Sequence, residues 1–99
     1  MIINKEQNGT ALILSPEGRL DTVTAPELES VIRDLPGDIK SLKLDLVKLD
    51  YISSAGLRVL LAAQKKMNAA GGEMTVKNAN ETIMEIFEVT GFTDILTIE

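Results

Sequence analysis

Leu42, Leu44 and Leu46 alternate with Lys43 and Asp45, the period of a strand with one buried face. Further on, Leu57, Leu60, Leu61 and Gln64 fall at helical spacing, so the stretch Lys48–Arg58 between them reads as a strand-to-helix turn. That helix runs to about Ala70, where Gly71-Gly72 terminates it. Upstream, two apolar-rich runs, Ile2–Gln7 and Thr10–Ser15, flank Asn8-Gly9, a pair able to supply the positive φ values of a type I′ hairpin turn. Pro16 and Gly18 close the second run, and Arg19–Val23 carries the chain to a helix. Thr24 opens that helix, with Glu27 completing a capping box and Pro26 tolerated in the first turn. Leu28, Val31, Ile32 and Leu35 form its apolar stripe, and Pro36-Gly37 ends it. Downstream, Glu73–Lys77 alternates again, Asn78 with Glu81 offers a second capping box, and Ile83, Ile86, Phe87 and Thr90 make a stripe. Gly91 supplies a C-cap before a last short strand, Ile95–Ile98.

The predicted order is ββαβαβαβ, an α/β domain in which an antiparallel hairpin feeds parallel, right-handed βαβ units. Residues 41–47 and 73–77 alternate rather than running apolar throughout, which places the helices mainly on one face of a mixed sheet and argues against a doubly wound fold. A chain of 99 residues buries roughly 60–70% of the surface its unfolded form exposes, enough for one core. Residues 1–99 therefore read as a single domain with both ends built into the sheet. Tyr51, Phe87 and Phe92 are the only aromatic residues, so the core is expected to be aliphatic, with Met67, Met74 and Met84 filling it.

Charge and missing residue types narrow the function classes. Ten basic residues stand against fifteen acidic ones, a net charge of −5, without a Lys/Arg run or interleaved aromatic stripe, so nucleic acid is not an expected partner. The absence of histidine removes the commonest general base and metal ligand, and the absence of cysteine removes disulfides and thiolate metal sites. No catalytic residue, cofactor or metal is expected. No apolar run approaches the ~18 residues of a membrane span, and Met1–Glu6 lacks a signal-peptide layout, so the chain reads as cytoplasmic.

The chemistry that stands out lies in the turn. Ser53 is placed to be the N-cap of the following helix, leaving Ser54 in the first turn with a free hydroxyl near the positive end of the helix dipole. Gly56 keeps the turn uncrowded, and Arg58 lies one turn beyond Ser54, within reach of a phosphate there. The pair can be a plain helix cap or the carrier of a regulated charge. Asp21 likewise reads either as a recognition residue or as a loop carboxylate capping backbone N–H groups before the Thr24 helix. Glu81, Glu85 and Glu88 share an outer helical face and are assigned only solvation. A Ser-Lys nucleophilic pair with Lys48, Lys65 or Lys66 lacks both the Ser-x-x-Lys spacing and an oxyanion-hole motif.

Asp50-Tyr51-Ile52-Ser53-Ser54-Ala55-Gly56-Leu57-Arg58-Val59-Leu60-Leu61, following a Leu-Lys-Leu-Asp-Leu strand, resembles the signature turn of the STAS domain of bacterial anti-sigma factor antagonists. Gly18-Arg19-Leu20-Asp21 with Thr24-Ala25, Gly71-Gly72-Glu73-Met74, and Phe87–Phe92 resemble further segments of that family, in order and across nearly the whole chain. The resemblance implies a protein, monomeric or weakly dimeric, that binds an anti-sigma factor serine kinase, is phosphorylated by it, and is reset by a PP2C-type serine phosphatase. Aligned on Gly56-Leu57, the acceptor is Ser54, with Ser53 standing where the family usually has aspartate and therefore a second candidate. Ala55 and Arg58 also depart from the usual pattern, the latter replacing a glycine. Asp21, Ser53, Ser54, Gly56 and Arg58 are the implied partner-binding residues. Two alternatives remain open: a STAS docking subunit of a lipid-transport ABC system or signalling assembly without phosphorylation, and a small phosphate-transfer or hydrolase enzyme built on Ser54 and Asp21.

Overall fold

Residues 1–99 are all described by the computed structural model. The hairpin pairs β1 (Ile2–Asn8) antiparallel with β2 (Ala11–Leu20), Asn8 facing Ala11 across a two-residue turn. Only Gly9 has a positive φ there, +64°, so the turn has the sign pattern of type II′ with glycine first, rather than the expected type I′. β2 runs on past Pro16 and Gly18 instead of closing at them. The Gly18 N–H donates to the Lys48 carbonyl at 2.9 Å, and Pro16, two residues earlier, aims its missing N–H toward that same side, between the strands that pair with the two halves of β2. Proline is tolerated there because no ladder bond is lost.

β3 (Ser41–Asp45) pairs parallel with the first half of β2, and β4 (Leu49–Ile52) pairs parallel with its last residues, Gly18–Leu20. β4 is a strand that the hydrophobic pattern folds into the turn. Leu46, Leu49 and Ile52 are buried three residues apart, because Leu46–Lys48 bend away and Asp50 is an extra residue opposite Gly18/Arg19. With α1 (Ala25–Arg33), α2 (Ser54–Ala69), β5 (Glu73–Lys77), α3 (Glu81–Thr90) and β6 (Thr97–Ile98), the six strands order as β1-β2-β3-β5-β6, with β4 beside β2. The last strand is shorter than the predicted 95–98, since Phe92–Asp94 wind into a 3-10 turn.

The alternation predicted from the sequence is what closes the core. Leu12, Leu14, Leu42, Leu44, Met74 and Val76 point to one face, beneath the helices, while Ser41, Lys43, Asp45, Thr75 and Lys77 are less buried on the other. Leu28 and Ile32 of α1, Leu60, Ala63 and Met67 of α2, and Ile83 and Phe87 of α3 complete one cluster of 22 buried apolar residues. Phe87 is the sole aromatic in it, and Met84 lies only partly buried at its margin.

Neither predicted capping box forms. Thr24 makes no side-chain cap to α1, and Glu27 turns to the Met1 amine at 3.0 Å. Helix α3 is capped by Asn80 rather than Asn78, which adopts a left-handed φ of +60° and donates from Nδ2 to Asp45 Oδ1 at 2.9 Å. α1 ends at Arg33, ahead of Pro36, where Lys66 Nζ of α2 donates to the Ile32 and Arg33 carbonyls at 2.8 and 2.9 Å.

Candidate functional site

The end of β4 and the end of β2 lie side by side, so the two loops that follow them share one edge of the domain. Leu20 pairs with Ile52, and the Ser53 N–H donates to the Leu20 carbonyl at 2.9 Å, bringing Asp21 beside the serine turn. In open parallel sheets this edge, beyond the carboxyl ends of the strands, is where ligand and partner chemistry collects.

Ser53 is the N-cap of α2, extended at φ −98°, ψ 177°, with Oγ accepting the Gly56 N–H at a long 3.4 Å. Ser54 is the first residue of the helix, exposed, and its hydroxyl has no hydrogen-bond partner within the protein. The two serines thus take the places predicted for them: the Ser53 hydroxyl is used by the backbone, and that of Ser54 is free. Gly56 is buried, and a Cβ on it would fall 2.7 Å from Ile52 Cγ1 and 2.8 Å from Leu20 Cγ, so only glycine lets the helix start this close to the strand ends. Arg58 is exposed and makes no ion pair, leaving a free guanidinium one turn along from Ser54. No acidic residue occupies the first turn of α2.

Asp21 holds its own loop together. Its Oδ1 accepts the N–H groups of Val23 and Thr24 at 3.0 and 3.1 Å, while its N–H donates to Thr24 Oγ1 at 2.9 Å. The Thr24 hydroxyl donates to the Arg19 carbonyl at 2.7 Å and lies 3.2 Å from the same carboxylate oxygen. The Thr24 N–H is the main cause that holds the Asp21 carboxyl below its ordinary value of 3.8; partial desolvation opposes it, and the Val23 N–H, the Thr24 hydroxyl and the Arg19 guanidinium reinforce it. A carboxylate with a lowered native pKa contributes stability that is complete above its unfolded value and lost as pH falls through the folded one. Asp21→Ala is therefore expected to be less stable than the parent by a margin that stays constant from neutral pH down to near 3.8 and narrows below it, as read by denaturant titration at a series of pH values. A margin that widened on acidification would contradict this assignment.

Two residues of this edge escape sequence reading. Arg19 stacks its guanidinium 4.5 Å above the Tyr51 ring and places Nε 3.9 Å from Asp21 Oδ2. Arg19 and Tyr51 are register partners across β2 and β4, so their pairing is visible only once β4 is known to be a strand.

Lys48 pairs with Glu17 at 3.9 Å, Lys66 caps α1, and Asp21 Oδ1 is taken up by loop N–H groups. Nowhere do three or more carboxylates converge in a geometry fit for a metal ion. A concavity of about 860 Å³ between β1 and α1, lined by Lys5, Gln7, Glu27, Val31 and Asp34, includes neither serine in its lining. No helix is long and apolar enough to cross a membrane. Glu81, Glu85 and Glu88 are exposed and unpaired, as solvated charges are.

The model of the STAS domain matches residues 2–99. The chain belongs to the STAS domain family. BtrV of Bordetella bronchiseptica is 34% identical to this STAS domain over 88 residues, which cover 88% of this chain and 76% of BtrV. The anti-sigma-B factor antagonist of Bacillus subtilis is 27% identical over 96 residues, 97% of this chain and 88% of that protein. Among solved structures, an anti-sigma factor antagonist from Mycobacterium paratuberculosis superposes with a TM-score of 0.86 at 26% identity, over 98% of this chain and 83% of that one. SpoIIAA of Bacillus in its phosphorylated form shares the fold at a TM-score of 0.77 and 16% identity, over 99% of this chain and 91% of its own. The mixed sheet of six strands with helices on one face is thus the STAS architecture.

Proposed function

We propose that this STAS domain is a phosphorylation-switched anti-sigma factor antagonist, acting by binding rather than by catalysis, with residues 1–99 working as one cytoplasmic domain. Unphosphorylated, it captures an anti-sigma factor that is also a serine kinase, and the sigma factor is released. The kinase then transfers the γ-phosphoryl group of ATP to Ser54 Oγ; the O–H bond is replaced by an O–P bond, the proton leaves to a base of the kinase, and ADP departs. Hydrolysis of that ester by a PP2C-type phosphatase restores the binding form.

The observation that carries this reading is the division of labour between the serines: Ser54 Oγ is exposed and free at the start of α2, whereas Ser53 Oγ accepts a backbone N–H. The names of the relatives supply the class of partner, and the helix N-terminus with Arg58 supplies the means of tolerating the added charge. A phosphate brings about −1.5 to −2 charges at neutral pH, and here they fall on a surface that a partner would otherwise cover.

Extracts of the native organism, passed over the unphosphorylated protein and over the Ser54 phosphoprotein, test the reading. A serine kinase identified by mass spectrometry and retained by the first bait alone is the expected result, together with sigma factor in the flow-through. Equal retention by both baits would overturn it.

A further inference from the structure

The acceptor serine sits at the end of a strand, β4, that only one other strand holds, because β5 stops at Lys77 beside Asp45 of β3 and no strand continues along the outer edge of β4. That edge is held instead by the β5–α3 loop. The Leu46 N–H donates to the Lys77 carbonyl at 2.9 Å and Asn78 Nδ2 to Asp45 Oδ1 at 2.9 Å, fixing the chain just before the break. Beyond the break, Asn80 Nδ2 donates to the carbonyls of both Leu49 and Asp50 at 3.2 Å, at the bulge where β4 carries its extra residue. The same carboxamide accepts the Ile83 N–H at 2.8 Å through Oδ1 and so caps α3. One side chain therefore spends its oxygen on the helix and its nitrogen on the strand, four residues ahead of Ser54 along β4.

We infer that Asn80 is a positioning residue for the serine turn, acting through the Leu49 and Asp50 carbonyls to fix where β4 ends and hence where Ser54 is displayed. Its role as a clamp of β4 stands on the hydrogen bonds alone; its functional weight rests on Ser54 being the phosphoacceptor. Carboxamide chemistry is required. Serine at this position keeps the cap and loses the carboxamide N–H groups that reach the two carbonyls, and aspartate keeps the cap but turns an anionic oxygen toward two carbonyl oxygens.

Amide hydrogen exchange on the full chain, residue by residue, tests this. In Asn80→Ser, the Ser53 and Leu57 amides, bonded to the Leu20 and Ser53 carbonyls respectively, are expected to lose protection about tenfold through local opening of β4 while amides of β3 and β5 keep theirs. Asn80→Asp is expected to show the same local loss more strongly, and gives a second reading should one variant fold poorly. Phosphorylation of Ser54 by the kinase recovered above is expected to slow in both variants in kcat/KM while the melting temperature stays within a few degrees of the parent. Protection lost equally throughout the sheet, or lost nowhere, overturns the inference. Local loosening combined with phosphate on a residue other than Ser54 in the parent protein upholds the clamp and rejects the acceptor assignment, so the two failures are distinguishable.

Discussion

Ser54→Asp is expected to bind the kinase anti-sigma factor roughly 50-fold more weakly than the parent, with no loss of fold. At an effective dielectric of ~20 and a separation of ~7 Å, one acidic group of the partner facing the new carboxylate costs ~2.4 kcal/mol, and ~1.4 kcal/mol is a tenfold change in affinity. Desolvation of the charge in the interface adds to that cost. Within the free protein the same carboxylate sits at the first position of α2, with no acidic neighbour in the first turn and an unpaired Arg58 one turn on. Both features favour an anion, by about 0.3–1 kcal/mol for the helix terminus alone, so melting temperature is expected to stay level or rise. Calorimetry against the recovered kinase, with Ser54→Asn as the uncharged control, reads the difference directly. Unchanged affinity for the aspartate variant would reject charge as the agent of the switch.

Gly56→Ala is expected to destabilise the domain by a net of about 1–2 kcal/mol, after an overpacking cost of about 2–3 kcal/mol, the upper part of the usual range, is offset in part by the helix preference of alanine over glycine, about 1 kcal/mol. The added methyl group would meet Ile52 Cγ1 at 2.7 Å and Leu20 Cγ at 2.8 Å, and those side chains are 1% and 0% exposed, so neither can swing into solvent. Relief requires α2 to lift at the turn that carries Ser53 and Ser54. A lower midpoint in urea with an unchanged slope is the expected signature. A midpoint equal to the parent would mean that the start of α2 has slack, and that glycine is not what sets the position of the serines.

The serine turn and the sheet class were legible in the amino-acid sequence because the forces involved are local. An N-cap serine answers to an N–H three residues away, and alternation at Leu42, Leu44, Met74 and Val76 needs no knowledge of what covers them. Competing partners, in the same loop or across the fold, decided what was not legible. Thr24 leaves its helix because Asp21 and Arg19 engage its hydroxyl, and Asn80 displaces Asn78 as the cap because β4 offers two carbonyls to its amide. Strand β4 itself was hidden by a bulge that spaces its buried residues in threes, the interval of a helix. With β4 went the Arg19–Tyr51 stack, since a cross-strand pair has no signature along the chain.

The central claim is that the exposed hydroxyl of Ser54, rather than that of Ser53, receives a phosphoryl group. Incubating the protein with its recovered kinase, ATP and magnesium, and mapping the product by mass spectrometry, tests it most directly. Phosphate on Ser54, abolished in Ser54→Ala and retained in Ser53→Ala, is the predicted result; full labelling of Ser54→Ala would contradict it.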